Sequence, residues 1–269
     1  MDTGLSGKQV VITGASGGIG LETVKMFLTE GTKVTGTFNS SMRELESLRD
    51  NWPDQLLLVK TDQTNESDIA SLFKQANGKF GRVDILVANA GIANHEGVAI
   101  QDMHLKQWEK TISVNLTGSF LCAKHFFVNL EKFKGDSASL IFVGSTAGFF
   151  GEAWYSDYAT SKAGMHGLMM SLKNEITHIA PKGRVNLVNP GWTRTPMAED
   201  ALSDEDMVRR ILQTIPMRKT ATPQDIGSAI LYLASDMLSG HVSGQTINVA
   251  GGMEGRVLFT PGEIEPSEE

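Results

Sequence analysis

Short runs of β-branched and aliphatic residues alternate with longer amphipathic stretches along most of the chain. The runs are nearly all apolar, which indicates strands buried on both faces. Such strands are predicted at 9–13, 33–38, 56–59, 83–88, 139–143, 185–188 and 245–249. Helical spacing of apolar residues is found over 66–79, 105–133, 156–180 and 222–235. Because strands separated by helices pair in parallel through right-handed crossovers, we predict an α/β fold: a doubly wound, seven-stranded parallel sheet with helices on both faces.

The composition is typical of one globular domain. Hydrophobic residues make up 41% of the 269 residues, and no linker interrupts the first 255. We therefore expect a single domain over 1–255 and an acidic C-terminal tail over 256–269. The tail contains Glu263, Glu265, Glu268 and Glu269. This composition favours a solvated segment; a flap that packs on a neighbouring subunit is the alternative.

Charge and cysteine content argue against several functions. The net charge is −7, which disfavours nucleic acid as a partner because phosphate binding depends on clustered basic side chains. No uncharged run reaches the about 18 apolar residues of a membrane helix, and a signal peptide is not expected. Cys122 is the only cysteine, which fits a reducing compartment, so we predict a cytoplasmic protein. The histidines show no metal-ligand spacing, and no metal site is expected.

A glycine-rich turn follows the first predicted strand. Residues 13–20 read Thr-Gly-Ala-Ser-Gly-Gly-Ile-Gly and lead into a helix. Glycine permits positive φ and a close approach of the backbone to a pyrophosphate, while the helix N-terminus offers unpaired N–H groups to phosphates. The turn therefore predicts a dinucleotide site, with a purely structural turn as the alternative.

The end of the second strand indicates which dinucleotide is bound. An acid here holds the 2′-hydroxyl of NAD, whereas neutral or basic residues admit the 2′-phosphate of NADP. The strand is followed by Asn39, Ser40 and Ser41, and Arg43 follows shortly after. NADP(H) is therefore favoured over NAD(H). The same three polar residues are also typical helix N-caps, and both roles are compatible.

A second group of polar residues lies in the C-terminal half. Tyr158 and Lys162 are four positions apart and so share a helical face. Ser145 follows the fifth strand, at the sheet edge where open α/β sheets bind ligands. A phenol is a poor base at neutral pH unless a neighbouring ammonium lowers its pKa. These residues predict acid/base chemistry on a substrate oxygen, with the serine hydroxyl donating to a carbonyl.

Taken in order, the motifs resemble those of the short-chain dehydrogenase/reductase superfamily, of the classical type, over residues 5–253. The resemblance rests on the glycine-rich turn, Ala88-Asn89-Ala90-Gly91, Val114-Asn115-Leu116, Ser145, Tyr158, Lys162, Pro190-Gly191 through Thr195, and Ser243-Gly244 through Gly252. Two positions depart from the usual pattern. Ala88 stands where Asn is usual, with little effect expected, and Gly144 stands where Ser is common, which is expected to leave more room beside the carbonyl.

The resemblance implies a Rossmann fold and an NAD(P)(H)-dependent oxidoreductase that moves a hydride between a nicotinamide and a secondary alcohol or ketone. It implies that Tyr158 is the general acid/base and that Ser145 positions the carbonyl. Lys162 would hold the ribose hydroxyls and tune Tyr158, and Asn115 would anchor a relay water.

The same resemblance implies the cofactor contacts. Asp62 is expected to read the adenine amino group, residues 89–91 to line the adenine-side ribose, and Thr193 to hold the nicotinamide carboxamide. The expected contacts in full are Gly14, Ser16, Gly18, Ile19, Gly20, Asn39, Ser40, Asp62, Gln63, Asn89, Ala90, Gly91, Tyr158, Lys162, Pro190, Gly191, Thr193 and Thr195.

The substrate is expected to be a small carbonyl compound or alcohol. It would be bordered by residues 147–154, by the segment after Gly191 and by residues 93–97. The apolar residues expected there are Phe149, Phe150, Trp154, Trp192 and Met197. They favour an acyl, aromatic or steroid-like ketone, while Glu152 and Asp157 leave a sugar or polyol open. Residues 197–214 are expected to form a mobile helical lid, with a static surface helix as the alternative.

Relatives that the chain resembles include 3-oxoacyl-carrier-protein reductases and sugar or polyol dehydrogenases. Enoyl reductases of the superfamily usually separate Tyr and Lys more widely. The alternative from a different class is a non-catalytic nucleotide-binding redox sensor, although such proteins typically lose Tyr, Lys or Ser. The helices at 105–133 and 156–180 pair across two-fold axes in this family, which implies a homodimer or homotetramer. Their apolar residues Phe126, Phe127, Leu168, Met169 and Met170 fit core packing equally well.

Overall fold

The computed structural model describes residues 2–264. Its strands are β1 (Gln9–Ile12), β2 (Lys33–Phe38), β3 (Leu56–Lys60), β4 (Ile85–Ala88), β5 (Ser137–Val143), β6 (Lys182–Pro190) and β7 (Thr246–Val249). Its helices are α1 (Gly18–Thr29), α2 (Arg43–Asn51), α3 (Glu66–Phe80), α4 (Leu105–Ile112), α5 (Gly118–Lys132), α6 (Thr146–Phe150), α7 (Ser156–Glu175), α8 (Glu199–Leu202), α9 (Glu205–Leu212), α10 (Pro223–Ala234) and α11 (Asp236–Ser239).

The seven strands form one parallel sheet in the order β3-β2-β1-β4-β5-β6-β7. The chain runs outward from β1 to β3 and then returns to β4 on the other side of β1. At such a reversal the carboxyl ends of neighbouring strands border a crevice, which is where open α/β sheets bind ligands. The doubly wound Rossmann-type sheet predicted from the sequence is confirmed.

Apolar side chains cover the sheet on both faces. On one face Phe73, Phe126 and Met165 come from α3, α5 and α7. On the other face Phe27 and Ile230 come from α1 and α10. Double coverage explains why the strands are nearly continuous apolar runs, with every residue of β1 and β4 buried.

The long helix predicted over 105–133 is interrupted. A π-helical turn, Ser113–Thr117, separates α4 from α5. Asn115 on this turn is fully buried, and π-turns inside helices are frequent at functional sites. Helix α7 ends at Glu175 and is followed by a 3₁₀ turn, Ile176–His178, so its predicted end was also too late. The spacing of apolar residues alone does not predict either change from α-helical to π- or 3₁₀-helical geometry.

The polar residues after β2 do not cap the next helix. Helix α2 begins at Arg43 with Met42 at its N-cap, and no side chain caps it. Asn39, Ser40 and Ser41 are instead exposed beyond the end of β2. The N-cap interpretation of these residues is therefore wrong, and the side chain of Arg43 lies outside what the structure describes.

Part of the predicted C-terminal tail packs on the domain, while most of its described residues are exposed. Residues 258–264, here called the C-terminal strap, pack on α9 of the same chain. Ile264 is buried in an apolar cluster with Ile211 and Leu212, and Phe259 packs against that cluster. The side-chain amide of Gln213 donates to the Phe259 carbonyl at 2.8 Å. The acidic composition concealed these two apolar anchors; Glu265, Glu268 and Glu269 lie outside the described residues.

Within residues 2–264, no helix combines the length and the apolar character needed to cross a membrane. Cys122 is completely buried in the apolar cluster under α5, and burial raises the pKa of its thiol to about 12. Such a thiol behaves as a small packed hydrophobe.

Two phenylalanines on α5 test the placement of the core. Phe126 is fully buried, whereas Phe120 on the same helix is 46% exposed. We expect Phe126→Ala to lower the free energy of unfolding by about 3–5 kcal/mol, because it leaves a cavity under the sheet. The matched Phe120→Ala change is expected to cost less than about 1 kcal/mol. Urea unfolding of both variants measures the difference, and equal losses would contradict the described packing.

Candidate active site

The glycine-rich turn joins β1 to α1 in a conformation that needs glycine. Gly14 has a φ of +64°, and a methyl group there would lie 2.8 Å from the Cα of Ala90. A methyl group on Gly20 would overlap the carbonyl oxygen of Gly14. Helix α1 starts at Gly18 with no side-chain cap and no acid in its first turn. An uncapped helix N-terminus without acids is suited to the phosphates of a dinucleotide.

Asn89 locks the end of β4 to this turn. Its side-chain amide donates to the carbonyls of Thr13 at 2.9 Å and Gly14 at 3.2 Å. The Thr13 hydroxyl in turn accepts from the backbone N–H groups of Asn89 and Ala90, both at 3.0 Å. Asn89, which was expected to line a ribose, therefore braces the backbone of the glycine-rich turn, here called the phosphate turn.

Gln63 has a similar bracing position after β3. Its amide nitrogen donates to the carbonyls of Ala90 at 3.1 Å and Val114 at 2.8 Å. It thus joins the end of β4 to the π-turn. The neighbouring Asp62 is exposed, and one of its oxygens accepts from the backbone and the hydroxyl of Thr64.

The loop after β6 closes on the start of α1. A methyl group added to Gly18 would lie 2.8 Å from the side chain of Thr195, so this loop and the phosphate turn are in contact. Thr193 is buried and donates to the Gly191 carbonyl at 2.8 Å. The backbone N–H of Gly191 donates to Val249 on β7. The loop is therefore fixed on both sides of Thr193.

Ser145, Tyr158 and Lys162 converge beyond the carboxyl end of β5. The Ser145 hydroxyl lies close enough to the Tyr158 phenol to affect its pKa, and it accepts from the Ala147 N–H at 3.1 Å as the N-cap of α6. Lys162 is buried, and its Nζ lies 5.7 Å from the centre of the Tyr158 ring. The sequence prediction that these three side chains lie together agrees with this geometry.

Asn115 joins the same cluster from the π-turn. Its side-chain amide donates to the Ile92 carbonyl at 2.9 Å and to the Ser161 hydroxyl at 3.0 Å, and its oxygen accepts from the Ile92 N–H at 2.8 Å. A methyl group on Gly91 would lie 3.2 Å from both the Asn115 Oδ1 and the Lys162 Nζ. A side chain at this position would therefore crowd both polar groups.

Burial controls the ionisation of the site. It raises the pKa of the Tyr158 phenol, against the opposing effect of the Ser145 hydrogen bond. Burial also lowers the pKa of Lys162 to about 8. The Lys162 ammonium donates to the Val143 carbonyl at 2.9 Å and not to the phenol. The expectation that Lys162 lowers the pKa of Tyr158 is therefore not met in the protein alone, where desolvation is the larger effect.

Gly144 does not leave room beside a substrate carbonyl. The space that a side chain at Gly144 would need is filled by the Oδ1 of Asn189 on β6, which accepts from the Ser145 N–H at 3.1 Å. The Asn189 amide donates onward to the Asn248 Oδ1 at 3.0 Å. Asn189 was missed from the sequence because nothing marks a polar residue within an apolar strand as a contact of Ser145.

The apolar residues predicted for the substrate rim are accessible, but one of its two predicted polar residues is not. Phe149, Phe150, Trp154 and Met197 are exposed, and Trp192 is half-buried. Asp157 is fully buried and accepts hydrogen bonds from α4, so it is not a polar group of the rim. Among residues 2–264, no cluster of three or more His, Cys, Asp or Glu side chains is arranged to hold a metal ion.

Comparisons with known proteins agree with this fold. A family profile described as enoyl-(acyl carrier protein) reductase matches residues 14–254. A 3-oxoacyl-[acyl-carrier-protein] reductase of Synechocystis is 32% identical over 93% of this chain and 98% of its own length. A cis-4-hydroxycyclohexanecarboxylate dehydrogenase of Sinomonas cyclohexanicum is 33% identical over 90% of this chain and 94% of its own.

A crystal structure described as a short-chain dehydrogenase/reductase, a glucose/ribitol dehydrogenase from Brucella melitensis, superposes with a TM-score of 0.83 at 30% identity. It covers 92% of this chain and 96% of its own. The chain belongs to the short-chain dehydrogenase/reductase family, as its motifs indicated. It is therefore an oxidoreductase of a family whose cofactor is NAD or NADP.

Lys162 makes stability depend on pH. Its pKa is about 8 in the folded protein against 10.5 ordinarily, so burying the ammonium costs about 3 kcal/mol below pH 8. This cost decreases as pH rises from 8 to 10.5, because the unfolded chain then binds more protons. We expect the stability of the wild type relative to Lys162→Met to increase across this window. Urea unfolding at pH 7 and pH 10 measures it, and an unchanged difference would contradict the burial effect.

Gly144 and Asn189 are expected to act as a pair. Gly144→Ala places a methyl group onto the Asn189 side chain and displaces Ser145, so kcat should fall about tenfold or more. Asn189→Ala removes the acceptor for the Ser145 N–H and should have a smaller effect. In the double variant the overlap is gone, and kcat should recover above that of Gly144→Ala. If the double variant instead loses kcat by the product of the two single effects, the two positions act independently.

Proposed function

We propose that this protein is an NADP(H)-dependent carbonyl reductase or alcohol dehydrogenase in which Tyr158 exchanges a proton with the substrate oxygen. The observation that carries the proposal is the convergence of Tyr158, Ser145 and Lys162 at the carboxyl end of β5. Binding of a nucleotide alone requires neither a phenol nor a hydroxyl beside it. Acid/base chemistry on a carbonyl requires both.

The phenol is suited to donate a proton during reduction. Because burial keeps its pKa above the ordinary value, Tyr158 is neutral at physiological pH and carries the proton it has to give. The Ser145 hydroxyl, held at the N-cap of α6, would donate a second hydrogen bond to the same substrate oxygen. Two donors aimed at one oxygen stabilise the negative charge that develops there.

Lys162 and Asn115 would serve the proton supply and the cofactor ribose. The Lys162 ammonium and the Asn115 oxygen border the space next to Gly91. An ammonium with a pKa of about 8 can both bind hydroxyl oxygens and release a proton near neutral pH. Asn115 would anchor a water that connects this ammonium to solvent.

The cofactor would lie along the carboxyl ends of the strands, from the α1 N-terminus to Tyr158. When bound, NADPH supplies the hydride. Its holders in this proposal are the contacts predicted from the sequence, with Asn89 and Gln63 shaping the backbone more than touching the ligand. NADP(H) is preferred because the exposed Asn39, Ser40 and Ser41 after β2 include no acid that would repel a 2′-phosphate.

Two other functions are less well supported. The description of the family profile supports an enoyl reductase. Enoyl reductases of the superfamily usually separate Tyr and Lys more widely, however, whereas Tyr158 and Lys162 are four positions apart. A non-catalytic redox sensor would have no need for Ser145, Tyr158 and Lys162 to lie together. NADPH oxidation against ketones and enoyl substrates distinguishes all three, since a sensor binds cofactor without turnover.

The remaining parts of the proposal concern substrate, assembly and location. The exposed aromatic rim favours an acyl, aromatic or alicyclic ketone over a sugar, and the named relatives include reductases of 3-oxoacyl groups and a dehydrogenase of a cyclohexane alcohol. Exposed apolar residues on α5 and α7, namely Val128 and Met170, support a homodimer or homotetramer. Phe126 and Met169 are excluded from such an interface because they are core residues. A cytoplasmic location remains a prediction from composition.

Tyr158→Phe tests the proposed acid. The variant keeps the ring and loses the proton, so kcat for reduction of ethyl acetoacetate, acetophenone or 4-oxocyclohexanecarboxylate should fall about 10²–10⁴-fold with NADPH affinity retained. Tyr232→Phe is the control: its side chain is 38% exposed on α10 and belongs to none of the segments around Tyr158. The control should stay within about threefold of the wild type. Full activity of Tyr158→Phe on its best ketone would refute the proposal.

Asn39→Asp tests the cofactor preference. A carboxylate beyond β2 repels the 2′-phosphate and accepts from a 2′-hydroxyl, so KM for NADPH should rise about tenfold and KM for NADH should fall. Steady-state kinetics with both cofactors give the ratio. A wild-type enzyme that already prefers NADH would overturn the NADP(H) assignment.

A further inference from the structure

Asp157, the residue directly before Tyr158, carries a completely buried carboxylate that the proposed chemistry does not use. A buried carboxylate is costly unless hydrogen bonds replace its lost hydration. Its Oδ2 accepts from the Thr111 hydroxyl at 2.8 Å, the Asn94 amide at 2.9 Å and the Gln107 amide at 3.3 Å. Its Oδ1 accepts from the backbone N–H of Tyr158 at 2.8 Å.

These four donors come from three parts of the fold. Thr111 and Gln107 lie on α4, Asn94 lies in the loop after β4, and the Tyr158 N–H belongs to the first turn of α7. The carboxylate therefore fastens a helix and a loop to the turn that carries the proposed acid. A carboxylate has the acceptor capacity for all four donors and no proton that would oppose any of them.

The loop in question, residues 92–98, is here called the wall loop. It starts beside Gly91, next to the Lys162 ammonium, where Ile92 is bonded to Asn115 through both its N–H and its carbonyl. At its far end the Val98 N–H donates to the Trp154 carbonyl at 2.7 Å. Asn94 is bonded to Asp157 between these two points.

The wall loop packs very closely on the residues before Tyr158. A methyl group on Gly97 would lie 2.7 Å from the Cβ of Trp154. Trp154 itself has a φ of +67°, a left-handed conformation that is unfavourable for a bulky residue and is maintained only by surrounding contacts. A displacement of the wall loop would therefore be transmitted to Trp154, an exposed aromatic residue of the substrate rim.

We propose that Asp157 is a positioning residue that holds the wall loop and Tyr158 in one fixed geometry and so determines how the ketone is bound and oriented. The inference rests on the proposed function, because the group positioned is the proposed acid. The phosphate turn and the end of β2 make none of these contacts. Loss of the carboxylate should therefore act on ketone binding and turnover and leave cofactor binding unchanged.

Asp157→Asn is the first test. An amide group keeps the size but brings an NH₂ against either the Tyr158 N–H or the three side-chain donors, so at least one contact is lost. With the best ketone of the panel, we expect KM to rise about tenfold and kcat to fall, while the Kd for NADPH from fluorescence titration stays within about twofold. Thr111→Val removes one donor at constant shape and should raise the ketone KM by a smaller factor. This variant still tests the proposal if Asp157→Asn fails to fold.

Exchanging the partners provides a sharper test. Asn94→Asp sets two carboxylates against each other and should raise the ketone KM. The double variant Asp157→Asn with Asn94→Asp restores a donor–acceptor pair at these two positions and should recover part of the KM relative to either single change. A merely structural role predicts two additive losses of stability and no recovery of KM.

The results separate the two claims. An unchanged ketone KM in Asp157→Asn, or a loss of NADPH affinity as large as the loss for ketone, would overturn the positioning role. If Tyr158→Phe is inactive in the same assays, the proposed function stands whatever Asp157 does. If Tyr158→Phe is fully active, the proposed function fails by itself.

Discussion

The contact between the carboxyl end of β4 and the glycine-rich turn is the constraint on which the rest of the site depends. Asn89 and Thr13 tie these two segments together through side-chain and backbone hydrogen bonds. Glycine at positions 14 and 20 is what allows the turn to approach so closely. From this fixed point β4 leads to Gly91 and the wall loop, and β5 leads to Ser145. A parallel sheet that reverses between β1 and β4 brings all these segments to one edge.

The chemistry depends on the removal of water from the same edge. Burial shifts the pKa of Tyr158 upward and that of Lys162 downward, so both groups favour their neutral forms more than they would in solvent. A phenol that retains its proton and an ammonium that releases one readily form a pair suited to passing a proton toward a substrate oxygen. The stability lost by burying Lys162 is consistent with a residue retained for function, because a methionine of similar length would fill the same space without a charge.

The sequence predicted the architecture and the proximity of Ser145, Tyr158 and Lys162, because both follow from local patterns. Apolar runs separated by amphipathic stretches determine a parallel sheet, and the glycine-rich turn, Ser145, Tyr158 and Lys162 each follow a strand or share a helical face. Contacts between distant segments were not predictable in this way. The π-turn at Asn115, the contact of Asn189 with Gly144 and the burial of Asp157 depend on how strands and loops pack in three dimensions. The packing of Phe259 and Ile264 beside α9 was not predictable for the same reason, since it is a contact between distant segments.

The protonation state of Tyr158 is the most direct measurement of the central claim. Tyrosinate absorbance, titrated in the cofactor-free wild type and in Tyr158→Phe, isolates this one phenol by difference. The account predicts that its pKa lies above the ordinary value of 10.0, so that the residue enters the reaction with its proton in place. A midpoint below 10.0 in the free protein would contradict the burial effect, and one below neutral pH would contradict the whole account, because Tyr158 would then meet the ketone as a phenolate with no proton to donate.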